Sequence, residues 1–196
     1  MRKAFAVVTL AAGLLVGSAF GADEYKINPV NSSANFAVKH LMVSTVKGRF
    51  SDVQGIISYD PSDITKSSVK AVIKTSTLAT DNASRDTHVK SADFFDVEKY
   101  PEIKFESTKI EKRGDQYVAI GNLTIKDVTK QVELPFTVNT TEMGGQKSLG
   151  ADATLTINRF DYHVDWDKMP GSVDKTVKIE LNIEASQPKA AAASAK

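Results

Sequence analysis

From Glu24 onward, apolar side chains recur at every second position, the period of an extended strand with one buried face. Ala34, Phe36, Val38 and His40 share one face of such a stretch, and Asn35, Ala37 and Lys39 share the other. Gly48 and Phe50 begin a further stretch, which Val53 to Tyr59 continues up to a turn at Asp60-Pro61-Ser62-Asp63. Val69, Ala71, Ile73 and Thr75 alternate with Ser68, Lys70 and Lys74, and later Ile103 and Phe105 alternate with Lys104 and Glu106. After a turn at Gly114-Asp115, Tyr117 to Ile125 reads as the next strand. The Lys126-Asp127 step then turns toward Val132, Leu134, Phe136 and Val138. Gly144-Gly145 is the clearest turn signal of all. Two long alternations follow, Leu149-Ala151-Ala153-Leu155-Ile157 and Val177-Ile179-Leu181-Ile183-Ala185. About eight to ten strands, each apolar on one side only, predict an all-β antiparallel fold. A closed barrel and a sandwich share this pattern, so periodicity leaves the two open.

The alternation breaks once, in NASRDTHVKSADFFDVEKYPEIKFES from Asn82 to Ser107. On helical spacing Arg85, His88 and Ala92 share a face, and Asp86 and Lys90 share another. Pro101 presets an extended backbone at Tyr100, so a helix there must end before Ile103. The stretch predicts a polar helical insert over about 82–99, with Phe94-Phe95 as a hydrophobic plug at its end.

The N-terminus follows different rules. Arg2 and Lys3 precede the apolar run Ala4 to Val16, and small residues follow at Gly17, Ser18, Ala19, Gly21 and Ala22. This is the layout of a secretory signal peptide over residues 1–21, with Ala19 and Gly21 at the −3 and −1 positions. The apolar run is too short for a stable membrane anchor, so a domain over 22–186 is expected to be exported, with the periplasm as its destination. Residues 187–196, ending in an alanine-rich run, have nothing to bury and are expected to be disordered. The chain has 25 basic and 24 acidic residues, and cleavage would remove Arg2 and Lys3. That balance, with no basic run, gives nucleic acid no footing. There are no cysteines, so an exported domain would be held by its core without disulfides.

Motifs for catalysis and metals are sparse. His40, His88 and His163 show no HxH, HxxxH or HExxH spacing, and no metal site is expected. Asp161, Asp165 and Asp167 alternate as a weak cation set would, but no glycine-bearing EF-hand loop follows, and a solvated face is the better reading. There is no GxSxG elbow, Walker loop, GxGxxG or cysteine nucleophile. Ser91, His88 and Asp86 do not share a helical face, which makes a poor triad. No catalytic residue is therefore assigned. A hydrolase or isomerase using His88 or His40 as base is the alternative, and a filled barrel acting through its surface is a third reading.

Arg85-Asp86-x-His88, Ser91-Ala92-Asp93-Phe94-Phe95 and Lys99-Tyr100-Pro101-x-Ile103-x-Phe105-x-Ser107 closely resemble the signature of the YceI-like family. Gly121-Asn122-Leu123-Thr124-Ile125-x-x-Val128-Thr129-Lys130-x-Val132 and Ile157-Asn158-Arg159-Phe160 match further along. The resemblance implies an antiparallel eight-stranded lipocalin-like β-barrel whose apolar cavity holds a polyisoprenoid or other long-chain lipid, with no other cofactor. It is also compatible with a homodimer. By alternation alone, small inward candidates (Ala34, Ala71, Ala151, Ala153, Gly121) mix with large ones, which suits either a lined channel or a packed, tapering barrel. The family's cavity favours the channel. The lining residues are then expected to be Phe36, Val38, Ile73, Phe94, Phe105, Leu123, Phe136, Leu155, Ile179 and Leu181. His40, Arg85, His88 and Ser91 are the candidates to orient a polar head, since an arginine fork suits phosphate oxygens. The competing reading of Arg85 and Asp86 is ion pairs that pin the insert to the barrel.

Overall fold

Ten strand segments are laid down in chain order: β1 (Asp23–Ile27), β2 (Ser33–His40), β3 (Ser44–Phe50), β4 (Val53–Tyr59), β5 (Ser68–Lys74), β6 (Glu102–Arg113), β7 (Gln116–Ile125), β8 (Val128–Met143), β9 (Gln146–Asn158) and β10 (Val173–Ser186). The computed structural model describes residues 21–166 and 168–188. The signal peptide expected over 1–21 and the expected tail therefore lie outside the described residues, save for Gly21 and for Gln187 and Pro188. All pairings are antiparallel, and the sheet closes through β1 against β10.

The ten segments make eight staves. β1 and β2 lie along the same flank of β10, with Ile27 opposite Ala185 and Ala34 opposite Leu181. β3 and β4 follow them in the same way, with Phe50 opposite Ala34 and Ile57 opposite Tyr25. Each pair is one strand with a kink, because local hydrogen bonds replace the ladder at the break. Between β1 and β2 the Ser32 hydroxyl accepts from the Glu184 N–H at 3.0 Å, while the Asn28 N–H donates to the Glu184 carbonyl at 2.8 Å. Between β3 and β4 the Ser51 and Asp52 N–H groups donate to the Thr77 hydroxyl. Closure into a barrel removes the choice that periodicity left open, since the pairing of β1 with β10 joins the strands into one ring, which the two separate sheets of a sandwich do not form.

Inward residues follow the alternation. Tyr25, Ile27, Ala34, Phe50, Val53, Ile103, Leu123, Ile125, Leu149 and Ala185 form one buried cluster with Leu78, Phe94, Tyr162 and Val164 from the connections. Of the small inward candidates, Gly121 serves packing. A Cβ there would stand 2.7 Å from the Phe105 ring and 2.5 Å from the Glu106 carbonyl, so the glycine makes room for that ring.

The expected insert is shorter as a helix than its polar pattern indicated. α1 runs only over Ala83–Lys90, and turns carry the chain on to Tyr100. Ser91 caps its C-terminus with its N–H bonded to the His88 carbonyl, so Ala92 lies beyond the helix. The helix starts where it does because the Asn82 side chain accepts from the Arg85 N–H at 2.9 Å. It buries no residue of its own. Its end of the barrel also carries the β2–β3 turn, the Lys126-Asp127 turn and the β9–β10 connection.

Candidate ligand-binding cavity

All ten strands turn side chains onto one internal cavity of about 310 Å³. Its lining is almost wholly carbon, and among the described residues Arg85 and Arg159 are the only Lys, Arg, Asp or Glu in it. The ten residues expected to line the cavity (Phe36, Val38, Ile73, Phe94, Phe105, Leu123, Phe136, Leu155, Ile179 and Leu181) all lie on this surface. Ala34, Ala71, Ala151 and Ala153 line it too, and they leave the space that larger side chains would fill.

At the helix end, aromatic rings close over the cavity. Phe50 sits between Phe36 at 5.9 Å and Phe95 at 5.6 Å. Phe94 lies 5.5 Å from Trp166, and His88 stands edge-on to both rings, 5.2 Å from Phe94 and 5.0 Å from Trp166. The expected plug is thus two rings with separate partners, and Trp166 is a member that no strand or helix period marked.

Arg85 and Asp86 do pin the insert, but through a threonine. Buried Thr80 donates its hydroxyl to Asp86 Oδ1 at 2.6 Å and its N–H to the same oxygen at 2.8 Å. Arg85 Nε donates to that hydroxyl and Nη2 to the Thr80 carbonyl, both at 2.7 Å. The Thr80 hydroxyl holds the Asp86 carboxyl below the usual carboxylate range, helped by the Thr80 N–H and by Lys90 and Arg85. Among the described residues no partner takes Arg85 Nη1, so the lining guanidinium keeps a donor for an oxygen of a ligand.

Arg159 is the second arginine on the lining and is 6% exposed. It donates to the backbone carbonyls of Asp174, Val164 and Val173, and so ties the β9–β10 connection down. Its place in the Ile157-Asn158-Arg159-Phe160 motif was legible, but its role was not. Tyr162 beside it is buried, which pushes its phenol pKa up.

The other head-group candidates divide. His40 lies on the lining at the end of β2. His88 and Ser91 do not line the cavity. His88 Nε2 is 2.9 Å from Asp93 Oδ2, and the Ser91 hydroxyl donates to the His88 carbonyl at 2.7 Å as part of the cap. The helical period put His88 on the Arg85 side, and the Phe94 and Trp166 rings hold it away from the lining. His163 pairs with Asp127 outside the cavity at 3.1 Å, which lowers the Asp127 pKa. Among the described residues no three His, Asp or Glu side chains come together as metal ligands would. Asp161 faces Lys130 at 3.4 Å, and Asp167 lies outside the described residues.

An antiparallel eight-stranded barrel around an apolar cavity, shut at one end by a helix and an aromatic plug, is a lipocalin-like barrel. The YceI-like domain model matches residues 25–185, and the chain belongs to that family. Among its relatives, a UPF0312 protein of Pseudomonas putida is 34% identical over 195 residues, covering 96% of this chain and all of the relative. A UPF0312 protein of Serratia proteamaculans is 35% identical with the same coverage. The crystal structure of a Campylobacter jejuni YCEI protein superposes with a TM-score of 0.70 at 28% identity, covering 77% of this chain and 90% of that one. A polyisoprenoid binding domain from Saccharophagus degradans shares the fold at a TM-score of 0.64 and 14% identity, covering 84% and 98%.

Proposed function

We propose that the barrel holds one long-chain lipid of the polyisoprenoid class and carries or sequesters it unchanged in the periplasm. The cavity carries this reading, because its lining is almost wholly carbon with an arginine donor at one end. Each buried CH₂ of a tail contributes roughly 0.8 kcal/mol, so affinity comes from the tail. Ordering the tail takes back part of that sum. The polar head then needs only orientation, which Arg85 Nη1 and His40 offer. The binding named for the Saccharophagus degradans domain agrees with this reading.

Native mass spectrometry of the protein recovered from its export compartment, followed by extraction, tests the proposal. A stoichiometric long-chain lipid, chemically intact, is the expected result. A bare mass that persists after incubation with isoprenoids and fatty-acid derivatives would sink it, and a chemically altered lipid would favour an enzyme.

A further inference from the structure

The β2–β3 hairpin ends in a turn its residues do not suit. Leu41 and Met42 occupy its two central positions with φ of 49° and 58°, and the Val43 N–H returns to the His40 carbonyl at 3.1 Å. Two positive φ values mark a type I′ turn, which favours Asn-Gly and gives a leucine and a methionine no conformational reason to be there. The packing gives them none either. Leu41, Met42 and Val43 are 53%, 71% and 83% exposed, and Met169 beside them is 61% exposed. Met169 is held there because the Leu41 N–H donates to the Ser172 carbonyl at 2.8 Å and the Ser172 N–H to the Met169 carbonyl at 3.0 Å. A strained turn that keeps apolar side chains in water points to a use for the tip.

What lies behind the tip indicates the occupant. The inner face of the hairpin lines the cavity through Val38, His40 and Val46. Its outer face carries exposed Lys39, Lys47 and Arg49, none in an ion pair among the described residues. On neighbouring β10, Lys178 pairs with Glu180 at 2.7 Å, and Glu180 also feels Lys47. Beyond the single bridge of Arg49 to Ala79, the outer edge of β3 has no ladder partner among the described residues, and the insert rather than a strand stands beside it, with Phe95 against Phe50. A second copy pairing on that edge would set the Lys47 and Arg49 side chains of two chains against each other. An anionic lipid surface meets both features, taking the apolar tip between acyl chains and the cations at its headgroups.

We infer that the β2–β3 hairpin docks the protein on anionic phospholipid bilayers, with Leu41, Met42 and Val43 entering the interface and Lys39, Lys47 and Arg49 facing phosphates. Docking brings the insert-covered end of the barrel to the membrane, where a lipid tail exchanges without crossing water. The inference rests on the lipid-carrying reading for its purpose, but docking is measured separately.

The test is co-sedimentation of residues 22–196, which contain every strand, with vesicles of phosphatidylglycerol and phosphatidylethanolamine or of phosphatidylcholine alone. The wild type is expected to bind the anionic vesicles, less so as salt rises. Leu41→Asn with Met42→Gly suits the turn, so the melting temperature should hold or rise while binding falls about tenfold or more. Val43→Ser, outside the positive-φ positions, should weaken binding in the same direction. Lys39→Glu with Lys47→Glu should abolish the preference for anionic vesicles. Wild-type protein left in the supernatant, or folded tip variants that bind as it does, would overturn the inference, as would a tip that changes only the oligomeric state. Extracted lipid is measured on every sample. A filled barrel with tip-independent binding removes docking alone, and tip-dependent binding by a barrel that never fills removes the carrier reading alone.

Discussion

Thr80 shows how one side chain can decide what two charges do. Its hydroxyl donates to Asp86 and accepts from Arg85, so both lose a partner if it goes. Thr80→Val is expected to cost about 1–3 kcal/mol in a denaturant titration, as a lost partner inside a buried network does. The same site predicts a pH dependence. A carboxylate depressed in the folded state contributes stability that is present above its unfolded value of about 4 and lost as pH falls through the lower folded value. Asp86→Asn should therefore flatten the fall in urea midpoint between neutral and acid pH, and an unchanged slope would refute the assignment. Phe105, whose ring lies over Gly121 on the lining, tests the cavity itself. Phe105→Asp is expected to abolish lipid retention, and retention at wild-type stoichiometry in a folded variant would remove Phe105 from the site. Thr80 was invisible in the sequence because nothing periodic marks a threonine whose partners stand five and six residues on.

Among the elements, α1 and β4 carry opposite kinds of constraint. The helix buries none of its residues and is held by its cap and by Thr80, so it belongs to the low-stability end of the molecule. Asn82→Ala should cost about 1 kcal/mol, a typical loss for a cap. Hydrogen exchange at the Arg85 amide should speed up while the barrel strands keep their protection. In β4 the constraint is backbone. Gly55 has φ of 151°, and a Cβ there would run into the Lys70 carbonyl of β5. Gly55→Ala is expected to cost about 1–3 kcal/mol or more, read from the denaturant midpoint at unchanged slope. The inward faces of the strands were legible because each is buried on one face and its period is 2, but several ends were not. β3 begins at Ser44, ahead of the Gly48 read as the start of its stretch, and β8 runs over Val128–Met143, beyond the alternation read from Val132 to Val138. The helix was read too long, since polar residues continue past Lys90 while the Ser91 cap ends the hydrogen bonding.

For the molecule as a whole, the cavity links ligand to stability. A lipid that binds only the folded barrel stabilises it by RT ln(1 + [L]/Kd), about 2.7 kcal/mol at a hundredfold excess over Kd. Protein stripped of lipid under mild conditions should melt at a lower temperature and recover on refilling, as scanning calorimetry would show. Equal melting temperatures with and without bound lipid would mean that the tail contributes nothing to the folded state.

Two kinds of information separate cleanly in this chain. Alternation by itself determined the inward faces of the strands and nine of the ten apolar residues now found around the cavity, Phe94 of the insert being the tenth, because a strand's burial pattern is local and survives any arrangement of its neighbours. The break in alternation marked the insert, and the family motifs added the barrel. Only the tertiary structure decided that ten segments make eight staves, since the two kinks depend on Ser32 and Thr77 meeting backbone groups far along the chain. It alone placed Arg85 on the lining and His88 and Ser91 off it, and brought Trp166 and Arg159 to the same end. Those outcomes rest on contacts between segments distant in sequence, and a periodic pattern records only which face a residue shares, never what stands opposite it.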